Sequence, residues 1–325
     1  MRCSFKPLLL VLVPALPILM MVPGVSLAAS YALPTGQETV FGATEQVVAK
    51  HEDTLLDIGR AHGVGYEEIV AANPGVDPWL PGEGREVLIP SRYILPEAPR
   101  DGIVVSLAEH RLYYFPRPKA GEAATVITYP ISVGRMDWTT PLGLTRIVDK
   151  RTKPIWYPPE SVRKEHAEDG RPLPKAVPPG PDNPLGEYAM RLGIPGGAYL
   201  IHGTNKPAGV GMQVTHGCIR MYPEDIEQFF KMIAVNTPVR IVHQPYKMGW
   251  LGDELYIEVH TPLEGSQGAE TRSLTDITRL LVTATQDRPV PIDWARAEQA
   301  FTRASGVPVA VMLGTATPQI AGSAQ

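Results

Sequence analysis

Nine prolines fall between residues 154 and 184 of this 325-residue chain. Each removes a backbone N–H and fixes φ near about −65°, so regular helix and central strand are excluded through most of that stretch. No sustained periodicity runs through it either. A long irregular insertion inside a compact domain is usually functional, such as a lid or a groove wall. The fold must therefore be built from the segments on either side.

Those segments are too long for one compact core, and two or three domains are expected. The composition, 44% hydrophobic and 20% charged, is that of a globular protein. A net charge of −4 offers no clustered basic surface for nucleic acid. Residues 1–28 read as a secretory signal peptide. Arg2 and Lys6 give a basic start, Pro14 and Pro17 break the apolar run 8–21, and Ser26-Leu27-Ala28 supplies a small-x-small cut after Ala28. Removing this leader removes Cys3 and leaves Cys218 as the only cysteine. An exported chain with one thiol makes no internal disulfide, so that thiol is either well buried or kept for its chemistry.

Residues 45–90 read as strand, helix, helix, strand. Asp53 or Thr54 caps the first helix, Gly63 suits its left-handed exit, and Asn73-Pro74-Gly75 stops the second. Residues 91–100, with two prolines, read as a linker. From 101 to 243 the pattern is mostly short strands. A hairpin is expected over 103–107 and 111–115, with further strands at 125–133, 144–148, 187–192, 198–201 and 239–242. Pro130 marks an edge or bulge. One amphipathic helix covers 223–233, with Pro223 in its first turn. Such a pattern suggests a β-rich sandwich or barrel. Residues 247–312 form a smaller unit, with a strand at 254–259 and helices at 274–283 and 294–305. The remainder, 313–325, reads as a disordered tail.

The chemistry concentrates in Ile201-His202-Gly203-Thr204 and His216-Gly217-Cys218-Ile219-Arg220, which hold two of the eight histidines and Cys218. A thiol acyl transferase needs a thiolate, a base, a group that orients the base, and N–H donors for the oxyanion. Free thiols titrate near about 8.5, so Cys218 needs a neighbouring imidazole. Gly217 leaves the Gly217 and Cys218 N–H groups unobstructed. Spacing alone does not choose the base. His202 lies at a strand end, and His216 would share a face with Cys218 if the segment were extended. The same three side chains would also suit zinc.

These residues resemble the catalytic motif of YkuD-type L,D-transpeptidases: a histidine, a spacer of somewhat over a dozen residues, then Ser/Thr-His-Gly-Cys. The spacer here, 203–214, is at the short end, and Thr215 stands where serine is usual. Ile131-Ser132-Val133-Gly134, Thr140-Pro141-Leu142-Gly143 and Pro181-Asp182-Asn183-Pro184-Leu185-Gly186 also look like family segments. Residues 45–90 resemble the LysM glycan-binding module, through Asp53-Thr54-Leu55, Ala61-His62-Gly63-Val64 and Ile69-Val70-Ala71-Ala72-Asn73-Pro74. The resemblance implies a mainly β catalytic domain, sandwich- or barrel-like, with a small α+β LysM domain and a small α/β C-terminal segment.

It further implies that Cys218 is the nucleophile and His202 its base, oriented by the Gly203 carbonyl. His216 would support the loop, and Gly217 and Cys218 N–H groups would form the oxyanion hole. Arg220 would bind a substrate carboxylate beside Thr215. The layout is similar to periplasmic Gram-negative members. By that resemblance the partner is peptidoglycan, and no cofactor is needed. The acyl acceptor would be the lysine of an outer-membrane lipoprotein or a second peptide stem. Two other readings stay open at this point: a zinc amidase using His202, His216 and Cys218, and a non-catalytic wall-binding protein.

Overall fold

The computed structural model describes residues 29–135, 138–196, 199–265 and 273–314. The leader expected on 1–28 and the tail beyond 314 lie outside the described residues.

The chain begins with β1 (Ala29–Ala32), β2 (Val40–Gly42) and β3 (Glu45–Val48), then α1 (Leu55–Ala61), α2 (Tyr66–Ala72), β4 (Glu86–Ile89) and β5 (Arg92–Ile94). β3 and β4 pair antiparallel, and the two helices close over them through Leu55, Ile58, Val64, Ile69, Val87 and Ile89. Thr54 caps α1. Its hydroxyl accepts the Asp57 N–H at 3.1 Å, and the Asp57 carboxylate accepts the Thr54 N–H at 3.2 Å. Gly63 leaves the helix with φ 66°. Asn73 ends α2 and ties it to β4, accepting the Leu88 N–H at 2.7 Å and donating to the Ile69 and Leu88 carbonyls at 2.8 Å.

The stretch read as a linker, 91–100, is not a free connector. β5 pairs with β2, and Tyr93, Ile94 and Leu95 are buried. Their apolar run outweighs the prolines that follow it, because burying three large side chains stabilises the fold more than a flexible tether would.

The central unit contains β6 (Gly102–Ser106), β7 (Arg111–Phe115), β8 (Thr125–Pro130), β9 (Val133–Gly134), β10 (Gly143–Thr152), α3 (Glu160–Glu168), β11 (Tyr188–Leu192), β12 (Leu200–His202), β13 (Gln213–Thr215), β14 (Ile219–Arg220), α4 (Pro223–Met232) and β15 (Pro238–Val242). Nine strands form one mainly β sheet in the order β1-β8-β7-β6-β15-β10-β11-β12-β14. Both of its faces are covered around β6: Ile103 and Val105 join the core under α4, while Val104 joins a second cluster with Phe41 and Tyr93. That is the period-two alternation of a strand buried on both sides.

The strand expected over 125–133 divides in two. Pro130 still pairs with Arg111 as the last residue of β8, the Ile131 N–H donates to the His110 carbonyl at 2.8 Å, and Ser132 then turns away to pair with Arg220. Within the proline-rich insertion, the proline-free residues 160–168 form α3, a helix that the density of prolines around it concealed. Most of the rest of the insertion is irregular.

The C-terminal unit adds β16 (Tyr246–Leu251), β17 (Glu254–Val259), α5 (Leu274–Thr285), α6 (Trp294–Arg303) and β18 (Val309–Ala310). β16 was not legible in the sequence, because Lys247 sits at a buried position. Its ammonium lies 2.8 Å from both Glu109 and Glu258, and His260 Nε2 lies 2.7 Å from Glu258. Glu109, Glu258 and His260 are the only metal-capable group of three among the described residues, and Lys247 already supplies their cation.

Candidate active site

β12 and β14 run side by side and parallel, with Ile201 opposite Ile219 and His202 opposite Arg220. The other edge of β14 meets Ser132: the Arg220 N–H donates to the Ser132 carbonyl at 3.1 Å, and the Ser132 N–H returns to the Arg220 carbonyl at 2.9 Å. Residues in register on neighbouring strands project from the same side of the sheet, so His202 and Arg220 do too. Cys218 precedes β14 directly, and the Leu200 main chain hydrogen-bonds its sulfur. The charge of Arg220 acts on both His202 and Cys218.

His202 is buried, and its Nδ1 lies 2.6 Å from the Gly203 carbonyl oxygen. A carbonyl only accepts, so Nδ1 carries the proton and Nε2 keeps its lone pair. Burial first, and the positive Arg220 second, push the His202 pKa down to about 3. The Gly203 N–H is held by the Tyr188 carbonyl at 3.1 Å, and a Cβ at Gly203 would lie 3.1 Å from the Ile226 side chain. Burial also raises the Cys218 thiol pKa, against the opposing pull of Leu200 and Arg220. At neutral pH the resting site therefore holds a neutral thiol and a neutral imidazole.

His216 goes elsewhere. Gly217 has φ 89°, which breaks the two-residue repeat that would have put His216 and Cys218 on one face. The His216 Nε2 lies 2.8 Å from Glu165 of α3, and its ring meets Trp138 edge-on at 5.2 Å. Arg135 pairs with the same carboxylate. Hydrogen bonds from Arg135 and then His216 pull the Glu165 pKa down to about 2. The insertion is thus fastened to the loop that carries Cys218. Thr215 donates its hydroxyl to the Cys218 carbonyl at 2.5 Å, and Thr140 donates to the Gly217 carbonyl at 3.0 Å. A Cβ on Gly217 would lie 3.0 Å from the Tyr199 ring.

Arg220 is half-buried. Its Nε has no hydrogen-bond partner, and no carboxylate pairs with it among the described residues. Burial lowers its pKa. Buried guanidinium groups are normally paired, so the side chain is suited to an anionic ligand.

The zinc arrangement of His202, His216 and Cys218 loses its geometry. His202 Nδ1 faces Gly203, His216 Nε2 faces Glu165, and the three do not converge as a ligand set. Sequence reasoning missed Arg135, Trp138 and Glu165, and named Thr140 only within a family segment. Only the proline-free window around Glu165 could have signalled a helix there, and nothing local links it to His216, 51 residues away.

Residues 100–241 match the YkuD family, the L,D-transpeptidase catalytic domain. The chain is 41% identical over 234 residues to "Probable L,D-transpeptidase YcfS" of Escherichia coli K12, covering 71% of this chain and 72% of that one. It is 36% identical over 294 residues to "Probable L,D-transpeptidase ErfK/SrfK" of Salmonella typhimurium, covering 89% and 93%. "Probable L,D-transpeptidase YbiS" of Escherichia coli K12 is 36% identical over 287 residues, covering 87% and 92%. With most of both chains aligned at this identity, the protein belongs to the YkuD-type L,D-transpeptidase family.

Proposed function

We propose that this peptidoglycan L,D-transpeptidase works through Cys218 and His202 by a thioester. The observation that carries the reading is the 2.6 Å contact between His202 Nδ1 and the Gly203 carbonyl, on a strand beside the Cys218 segment. It leaves Nε2 as the basic nitrogen. The Cys218 Sγ proton passes to Nε2 as sulfur attacks the carbonyl of the third stem residue. The C–N bond to the terminal D-alanine breaks, and Nε2 returns the proton to the departing amine. An acceptor amine then attacks the thioester and gives its extra proton to Nε2. The C–S bond breaks, and the sulfur recovers the proton. The Gly217 and Cys218 N–H groups would stabilise the oxyanion in both steps.

Arg220 would seat a carboxylate of the stem. Its unpaired charge raises the cost of forming imidazolium at His202. A bound carboxylate offsets that charge, so the base strengthens when the correct donor arrives. Thr215 and His216 would hold the loop rather than touch the reacting atoms.

The remaining assignments rest on resemblance and local geometry. Residues 45–89 have the strand–helix–helix–strand order of a LysM module, and the exposed Trp79 and Leu80 in the loop after α2 offer a stacking face for sugar. Residues 1–28 support export to the periplasm. The acceptor would be a lipoprotein lysine, a second stem, or water.

The test incubates purified protein with tetrapeptide muropeptides, with and without a lysine-ended acceptor peptide, and reads products by mass spectrometry. Dimer, conjugate or trimmed tripeptide is expected from the native protein. Cys218→Ala should form none of them, and a chelator should leave the yield unchanged. Full activity in Cys218→Ala would defeat the reading.

A further inference from the structure

The small N-terminal unit does not merely sit near the catalytic unit. Its helical turn, residues 62–66, is pressed into the loop that joins His202 to Cys218. The Tyr66 N–H donates to the Val210 carbonyl at 3.1 Å, and the Glu67 N–H donates to the Gly211 carbonyl at 3.2 Å. These belong to the first turn of α2, whose N–H groups have no partner within the helix. The catalytic loop therefore completes the helix, and the helix fixes the loop.

The approach is backbone to backbone. Gly211 has φ 89°, and a Cβ there would lie 2.2 Å from the Tyr66 nitrogen and 2.5 Å from the Gly65 Cα. A Cβ on Gly65 would lie 2.7 Å from the Gly211 Cα. Two glycines face each other because no side chain fits between them.

Two ion pairs hold the turn in place. Arg111 of β7 is fully buried and grips Glu68 at 2.7 and 2.8 Å and the Gly63 carbonyl at 3.1 Å. Arg60 of α1 grips Glu224 of α4 at 2.7 and 2.9 Å. The far side of the loop is held by the central unit. Ser132 donates its hydroxyl to the Gly209 carbonyl at 2.7 Å, and the Val133 N–H donates to the Met212 carbonyl at 3.2 Å. Gly209 in turn walls the Arg220 guanidinium, since a Cβ there would lie 3.2 Å from Nη1. A short path thus runs from Tyr66 through Val210 and Gly211 to Gly209 and Arg220.

We infer that the N-terminal unit positions Arg220 for the anionic peptide stem, with Gly65, Tyr66 and Gly211 as positioning residues. This rests on the reading of Arg220 as the carboxylate site. Loss of the contact should weaken donor binding before it slows the chemistry, because the loop walls only the Arg220 guanidinium at Gly209, while the Leu200 main chain holds the Cys218 sulfur and the Gly203 carbonyl holds His202.

The experiment uses the full chain with Gly65→Ala, Gly211→Ala and Arg60→Ala, each checked for folding by circular dichroism and thermal melting. Arg60→Ala releases an anchor without adding an atom at the loop, so it serves if a glycine variant fails to fold. Steady-state kinetics with a tetrapeptide donor should show KM raised by about tenfold in the glycine variants, a lost order of magnitude in binding, and kcat changed far less. Arg60→Ala should move KM in the same direction by less. Hydrogen exchange should show lost protection across residues 209–215. Unchanged KM together with native protection of 209–215 in folded variants would overturn the inference. If the native protein turned over no donor, or Cys218→Ala kept its activity, the functional reading would fall instead. The exchange measurement would still judge the contact.

Discussion

At the residue scale, the site turns on two histidines that the sequence treats alike. His202 is buried, neutral and aimed by a main-chain carbonyl, while His216 is tied to a carboxylate. With the thiol raised by burial and the imidazole lowered by burial and Arg220, the neutral pair is favoured over thiolate–imidazolium at rest. Alkylation of Cys218 by iodoacetamide in the unliganded protein should therefore keep rising from about pH 6 to about pH 9 without a plateau. A preformed ion pair would give a rate already flat near neutrality, and that profile would refute the neutral resting pair. Cys218 and its flanking glycine were legible because no other thiol survives removal of the expected leader. Spacing did not choose between the histidines, and only the resemblance pointed to His202, since the local choice depends on Gly217 adopting φ 89°.

At the element scale, α3 is a strap made inside a segment that excludes helices almost everywhere else. Glu165 fastens it to Arg135 and His216. The folded carboxyl titrates near about 2, below its unfolded value, so this bond stabilises at neutral pH and is lost as pH falls through about 2. Glu165→Ala should expose residues 154–184 to protease at neutral pH. Equal cleavage rates in variant and native protein would show that the strap is held by something else.

α4 carries the opposite case. Burial first, and the neighbouring Glu224 second, raise the Asp225 pKa to about 7. The folded chain then keeps a proton that the unfolded chain releases above about 4. This group lowers stability as pH rises from about 4 through 7. Asp225→Asn should flatten that decline, with a gain of a few kcal/mol at neutral pH in denaturant titrations. The amphipathic spacing of α4 was readable from sequence; the depth at which Asp225 would lie was not.

At the scale of the whole molecule, three units share buried charge. Arg111 joins the N-terminal turn to the sheet, and Lys247 joins the C-terminal unit to Glu109 of the hairpin. Lys247→Met would remove the ammonium that Glu109 and Glu258 share, leaving Glu258 only its contact with His260, at a cost of about 3–5 kcal/mol. The melting temperature should fall by roughly 4–7 °C. Calorimetry should show one transition for the native chain, and separate transitions would mean that the units fold independently. The period-two and helical patterns place most strands and helices, whereas the linker reading of 91–100 fails because its apolar residues find a partner, β2, that is remote in sequence.

The sequence by itself determined the composition of the site: one thiol, a glycine beside it, two candidate bases and an arginine, with a proline-rich insertion that could be neither sheet nor long helix. These are local properties, set by side-chain chemistry and backbone freedom. Only the tertiary structure decided who meets whom. Parallel pairing of β12 with β14, the docking of α2 on residues 210 and 211, and the burial of Lys247 join positions far apart in the chain. Such contacts form because they satisfy backbone groups and remove apolar surface from water, and neither gain can be computed from neighbours along the chain alone.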